Sequence, residues 1–261
     1  MNVMDMFSLD GKVAFVTGGA GLYGRQIVAA LAEAGAETYI ASRNLEALEQ
    51  VAAEHQARGE RVVALRLDQG DEASVIAARD AVVERSGRLD VLVNNAVARP
   101  MKKGWDDDLA NFAASMRVNA TGVFAVTRAF GRIMEQQGSG SIINVSSMMG
   151  MVGVEMANYD GTSMGSFSPD YFFHKGGLIN FTRLCASYFG RMHVRVNCVS
   201  PGGLRNPTQP ERFVAQYSAR TQLGRMANDT DLKGVIVFLA SDASDYLTGV
   251  NIPVDGGYTA K

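Results

Sequence analysis

Short apolar runs alternate with longer amphipathic stretches along the whole chain. Positions 13–16, 37–41, 62–67, 91–93, 141–145, 194–199 and 251–254 are rich in β-branched and other apolar residues. They are too short for helices and read as strands buried on both faces. Between them, stretches near 23–34, 44–58, 71–86, 107–136, 171–190 and 229–240 carry helical patterns. The alternation predicts an α/β fold: a single doubly wound parallel sheet of the Rossmann kind, with helices on both faces and ligands beyond the carboxyl ends of the strands. No repeat, low-complexity segment or linker interrupts it, so residues 1–261 read as one domain.

Composition narrows the setting. At 261 residues and 47% apolar, with 28 glycines, the chain can bury one full core. A net charge of -2, with the signs mixed along the chain, argues against a nucleic-acid partner held by a basic surface. Residues 1–11 include Asp5 and Asp10 and no apolar run of signal-peptide length, while runs such as 235–240 are far too short to span a bilayer. A cytoplasmic protein with no membrane partner is expected. Cys185 and Cys198 lie in apolar contexts and the three histidines are scattered, which predicts buried thiols and no metal site.

Candidate chemistry enters at the strand ends. The first strand runs into Thr17-Gly18-Gly19-Ala20-Gly21-Leu22-Tyr23-Gly24 and then a helix. Glycines there let the turn tighten and let backbone N–H groups approach a diphosphate at the helix N-terminus. In that context the turn reads as dinucleotide binding, the alternative being a mere tight connection. At the end of strand two an acidic residue would hold the ribose hydroxyls of NAD, but the chain has Ser42-Arg43, which suits a 2′-phosphate. NADP(H) is the expected cofactor; NAD(H) is the alternative, with Arg43 an ordinary solvated residue. Asp68 follows strand three and Asn94-Asn95-Ala96 follows strand four, at the edge where an adenine and its ribose would lie. Asp68 reads equally as a loop residue that starts the next helix.

Tyr171-Phe172-Phe173-His174-Lys175 opens a helix and sets a tyrosine and a lysine four residues apart, on one face. A free phenol has a pKa of about 10. A nearby ammonium lowers such a value, so the pair can trade a proton with an alcohol. By itself the spacing is common, and its bland reading is a surface lysine beside a half-buried ring. Ser146-Ser147 ends strand five, Asn119 lies inside the long helix after strand four, Ser200-Pro201-Gly202-Gly203 ends strand six and Asp255-Gly256-Gly257 closes the series.

Taken in this order, the motifs resemble the short-chain dehydrogenase/reductase family over essentially the whole chain. The resemblance implies a dinucleotide-binding catalytic domain that interconverts a secondary alcohol and a ketone with NAD(P). It maps Asn119, Ser147, Tyr171 and Lys175 onto the family's catalytic tetrad. Tyr171 would exchange the hydroxyl proton and Ser147 would donate to the reacting oxygen where charge develops. Lys175 would hold the ribose and acidify the phenol, and Asn119 would anchor a water chain. Ser147 is chosen over Ser146 because the family's serine precedes two residues and a glycine, as Ser147 precedes Met148-Met149-Gly150. The cofactor would lie on Gly18, Gly21, Leu22, Tyr23, Ser42, Arg43, Asp68, Asn95, Ala96, Tyr171, Lys175, Pro201, Gly202 and Leu204. The family also implies a homotetramer with two-fold axes. The helices near 107–136 and 171–190 would pair through apolar residues such as Phe124, Phe130, Phe181, Leu184 and Phe189.

Three features depart from the family pattern. Leu22 stands where compact members carry glycine, and Gly18, Gly21 and Gly24 follow the spacing of longer, nucleotide-sugar-modifying relatives. Val97 replaces the glycine usual after Asn95-Ala96. Ser147 and Tyr171 are 24 positions apart, which points to an insertion at about 155–168 that lies over or beside the substrate pocket. Its Asn158, Tyr159, Asp160, Thr162 and Ser163 offer donors and acceptors, the alternatives being surface decoration or a subunit contact. The methionines nearby, Met148, Met149, Met151, Met156 and Met164, read as adaptable packing.

Gly161-Thr162-Ser163-Met164 and the glycines after Pro201 resemble a subgroup associated with sugars and sugar acids, including gluconate 5-dehydrogenase-like proteins and oxidoreductases of bacterial surface-sugar pathways. A polar, polyhydroxylated small molecule is the substrate this implies, with Arg99, Tyr159, Thr162 and Ser163 as candidate contacts. One alternative is reduction of a 3-oxoacyl carrier-protein thioester. Its acidic partner would need a basic patch, and Arg99, Lys102, Lys103 and Arg128 make only a modest one. The other is a cofactor-binding regulator without turnover, which the intact tetrad disfavours.

Overall fold

All seven apolar runs form strands, and the first six find a hydrophobic layer on each side, whereas the seventh packs on one side only, through Ile252 and Val254. In the computed structural model, which describes residues 2–164 and 167–260, they are β1 (Val13–Thr17), β2 (Glu37–Ser42), β3 (Val62–Arg66), β4 (Val91–Asn94), β5 (Gly140–Val145), β6 (Val194–Pro201) and β7 (Asn251–Val254). They pair in parallel in the order β3-β2-β1-β4-β5-β6-β7. Side chains alternate along a strand, so Ala14 and Val16 enter one core while Val13 and Phe15 enter the other. The first core is covered by α1 (Leu22–Glu33), α2 (Leu45–Gln56) and α8 (Lys233–Ala240). The second is covered by α3 (Glu72–Ser86), α5 (Val123–Gln137) and α6 (Pro169–Phe189), with Phe15 stacked on Phe130 at 4.2 Å.

The helices depart from expectation in three places. The stretch 107–136 is not one helix: α4 (Leu109–Met116) passes through a π-helical turn, Arg117–Gly122, before α5. A side chain at Gly122 would stand 2.4 Å from the Gln69 carbonyl, so the widened turn rests directly on the loop after β3. The last expected helix starts only at Lys233, and an eighth, α7 (Glu211–Ser218), was not anticipated. Buried Phe213 and Tyr217, four residues apart, fix α7 over the carboxyl ends of the strands. There they join Met148, Met226 and Tyr258 in a third apolar cluster, with Met149, Tyr159 and Met164 packed against it.

Two sequence expectations need adjustment at the surface. Phe130 and Phe189 are buried in this chain's own second core, so they are not free for a subunit contact; Phe181 is half-buried against that core, and Phe124 and Leu184 are exposed. Gly165 and Ser166 of the expected insertion, with Met1 and Lys261 of the expected domain, lie outside the described residues. Cys185 and Cys198 are buried and unpaired. Among the described residues no helix is long and apolar enough to cross a membrane.

Candidate active site

The carboxyl ends of β1 to β6 open into one cleft of about 690 Å³. Its floor begins at the glycine turn. Gly18 adopts φ +73°, and a side chain there would meet the Ala96 Cα at 2.9 Å; at Gly24 it would meet the Gly18 carbonyl at 2.1 Å. Side chains are thus excluded where the turn meets β4 and α1. No side chain caps the N-terminus of α1, which starts after Gly21, so its first N–H groups remain for an anion in the cleft. Thr17 and Asn95 lock this floor. The Thr17 hydroxyl accepts from the Asn95 and Ala96 N–H groups at 3.1 and 3.0 Å, and the Asn95 amide donates to the carbonyls of Thr17 and Gly18.

The expected cofactor residues all line the cleft: Gly18, Gly21, Leu22, Tyr23, Ser42, Arg43, Asp68, Asn95, Ala96, Pro201, Gly202 and Leu204, with Tyr171 and Lys175 further along. Leu22 is exposed there, in the place where a glycine was expected. The Tyr23 hydroxyl donates to the Gly202 carbonyl at 2.8 Å and ties the turn to the end of β6, and burial holds that phenol firmly protonated. Arg43 is exposed on the rim beside Ser42. Asp68 lines the cleft and its carboxylate accepts from the Gly70 N–H at 2.9 Å, whereas the start of α3 is capped by Asp71, whose carboxylate accepts from the Ala73 N–H at 3.1 Å.

At the opposite end stand Ser147, Tyr171 and Lys175. Ser147 caps a short helical turn by accepting from the Met149 N–H at 3.1 Å, whereas the Ser146 hydroxyl donates to the Lys175 carbonyl at 2.7 Å and braces α6 from behind. Lys175 is buried. Its ammonium donates to the Val145 carbonyl at 2.6 Å and lies 5.8 Å from the Tyr171 ring centre. Burial pushes its pKa down to about 8; Cys198 opposes that shift and Arg99 adds to it. His174, one position earlier, is pushed down to about 3 by burial and by the charges of Lys175 and Arg99, so its imidazole is neutral.

Asn119 does not line the cleft. It sits in the π-helical turn, where its amide N–H donates to the Ala98 carbonyl at 2.7 Å and its oxygen accepts from the Ala98 N–H at 2.8 Å. The next residue, Arg99, lays its guanidinium 4.3 Å above the Tyr171 ring and forms no ion pair with a described residue.

The insertion reaches the cleft through Tyr159, Phe167 and Ser168, whose hydroxyl donates to the Met101 carbonyl at 3.3 Å. Tyr159 and Phe167 meet edge to face at 4.7 Å and line the wall. Thr162 spends its hydroxyl on the Tyr159 and Met164 carbonyls, Ser163 is exposed away from the cleft, and Asn158 is fully buried against the Tyr258 hydroxyl at 2.7 Å. Opposite, α7 supplies Phe213 and Tyr217, both missed from sequence, as were Met226 and Gln209. Tyr217 accepts from the Gly203 N–H at 2.6 Å, which fixes the strand-six loop. The phenylalanine and tyrosine four apart in 211–218 were the available signal for this wall.

An anion cradle at one end of a cleft and a tyrosine–lysine–serine group at the other define a dinucleotide-dependent enzyme. Known proteins agree. A family model described as enoyl-(acyl carrier protein) reductase matches residues 21–259. The chain is 37% identical to a cis-4-hydroxycyclohexanecarboxylate dehydrogenase of Sinomonas cyclohexanicum, over 95% of this chain and 97% of that one. It is 36% identical to a 2-dehydro-3-deoxy-D-gluconate 5-dehydrogenase of Escherichia coli strain K12, over 99% and 100%. A crystal structure of a gluconate 5-dehydrogenase from Burkholderia cenocepacia in complex with NADP and tartrate superposes with a TM-score of 0.88, at 31% identity and with both chains fully covered. The chain belongs to the short-chain dehydrogenase/reductase family and is an NAD(P)-dependent oxidoreductase acting on CH–OH groups.

Proposed function

We propose that the protein interconverts a small hydroxy acid and its oxo acid at a secondary carbon, with NADP preferred over NAD. The observation that carries this reading is the Arg99 guanidinium, without an ion-pair partner among the described residues, beside Tyr171 in a cleft end walled by Tyr159, Phe167, Phe213 and Tyr217. A carboxylate answers the cation with a charge-assisted bond, and a compact carbon skeleton packs on the rings. Sugar acids meet both demands, as the sequence suggested. The aromatic walls extend the class to cyclic hydroxy acids, because Thr162 and Ser163 do not face the cleft.

The glycine turn, the uncapped start of α1 and the Ser42-Arg43 rim fit a dinucleotide phosphate, and Arg43 is the residue that would meet a 2′-phosphate. When bound, the nicotinamide takes or supplies the hydride. Tyr171 exchanges the hydroxyl proton, and Ser147 donates to the reacting oxygen as it gains charge. Lys175, charged at neutral pH and held by Val145, keeps a cation beside the phenol.

Initial rates with NADP and NAD over a panel of sugar acids, cyclic hydroxy acids and the matching uncharged alcohols test the reading. The acids should be preferred, and NADP should exceed NAD in kcat/KM by about tenfold to a hundredfold. Tyr171→Phe should bind NADP normally yet turn over several orders of magnitude more slowly. Preference for NAD would mean that Arg43 points to solvent, and near-normal turnover by Tyr171→Phe would sink the proton-transfer role. A carrier-protein thioester belongs in the panel because of the family description. Against that substrate, Arg128 of the basic patch is already paired with Glu72.

A further inference from the structure

Asp170 immediately precedes Tyr171 on α6, is 1% exposed and does not line the cleft. One carboxylate oxygen accepts the Ser115 hydroxyl of α4; the other has no partner among the described residues. The Ser115 oxygen in turn accepts from the Asn119 amide at 2.9 Å, and Asn119 grips both peptide groups of Ala98. Arg99 follows and covers the Tyr171 ring. The contacts close into a loop, from Asp170 through Ser115, Asn119, Ala98 and Arg99 back to Tyr171.

Direction matters in that loop. A hydroxyl has one proton, and when Asp170 takes it the Ser115 oxygen can only accept. The Asn119 group facing Ser115 must then be the NH2, which turns its carbonyl oxygen toward the Ala98 N–H. Without Asp170 the serine proton is free to face Asn119, and the opposite amide orientation would set NH2 against N–H at Ala98. We propose that Asp170 is a positioning residue that, through Ser115 and Asn119, fixes the polarity of the Ala98 grip. It thereby seats Arg99 over the catalytic tyrosine for capture of the substrate's carboxylate. The proposal rests on the reading of Arg99 as the carboxylate anchor.

The test is calorimetric binding of cyclohexanecarboxylate to the NADP complex of the full chain. Arg99→Met, Asp170→Ala and Ser115→Ala should each weaken it about tenfold or more. Asp170→Asn, which keeps an oxygen for the Ser115 proton, should retain most of the affinity. Asp170→Ala added to Arg99→Met should cost nothing further. An equal cost of Asp170→Ala in both backgrounds overturns the positioning role while leaving the anchor intact. Undetectable binding by the unaltered complex, or unchanged binding by Arg99→Met, removes the anchor and the proposal with it. Should Asp170→Ala fail to fold, Ser115→Ala carries the same comparison without altering a buried charge.

Discussion

Enclosure by β5 and α6 leaves the Lys175 ammonium with the Val145 carbonyl as its hydrogen-bond partner, and it gives up its proton at a pKa of about 8 against 10.5 for the free side chain. Between those values the unfolded chain binds the proton and the folded chain does not, so stability rises with pH across that window. Below about 8 both states are charged and the cost of burial is constant. At roughly 1.36 kcal/mol per unit, the gain approaches about 3 kcal/mol. Denaturant titrations of the cofactor-free protein from pH 7 to 10.5 should show this rise relative to Lys175→Met; parallel curves for the two proteins would place the ammonium in water. Motif order singled out Tyr171, Lys175, Ser147 and the glycines, and these line one cleft. Asp170 and Ser115 were not legible, since their bond joins positions 55 apart and neither belongs to a motif. That the Thr162 hydroxyl is spent on backbone carbonyls was not legible either, because loop hydroxyls satisfy their own backbone by contacts no motif displays.

Among the elements, the insertion and α7 act as one unit. Tyr159 packs on Phe213 at 5.2 Å, the Gln216 amide donates to the Asp160 carbonyl at 3.2 Å, and Glu155 pairs with Arg220 at 3.2 Å. Replacing residues 159–163 with a glycine–serine link should therefore raise KM for a hydroxy acid about tenfold or more while leaving NADP affinity nearly intact, because these residues lie away from the adenine end. Measuring both constants on one preparation decides it, and equal losses would assign the segment to general stability. The break between α4 and α5 could not be read from hydrophobic spacing, since both halves are helical and only contact with Gln69 shows why the chain widens at Gly122. Helix α7 was hidden by its length, eight residues with only two buried apolar side chains.

At the scale of the whole molecule, α5 and α6 present Phe124, Phe173, Leu184 and Tyr188 at 49%, 69%, 64% and 50% exposure, a surface suited to burial between copies of the chain. Light scattering at micromolar concentration should give the mass of a tetramer, and Leu184→Glu should lower it; a monomeric mass for the unaltered protein would refute the assembly. The sheet itself was legible almost entirely, because strands packed into a core leave seven apolar runs and the glycine turn marks the first. That strand order also has a consequence during synthesis. β1 lies inside the sheet, flanked by β2 and β4, yet Ala14 must wait for Val91 to emerge from the ribosome. At about 5–20 residues per second the wait is roughly 4 to 15 s. Meanwhile the nascent chain can pair β1 with β2 and β2 with β3 but leaves the other edge of β1 open, an apolar ladder available to any neighbouring chain. The strand that leads into the glycine turn is thus open to wrong pairing while translation is still under way.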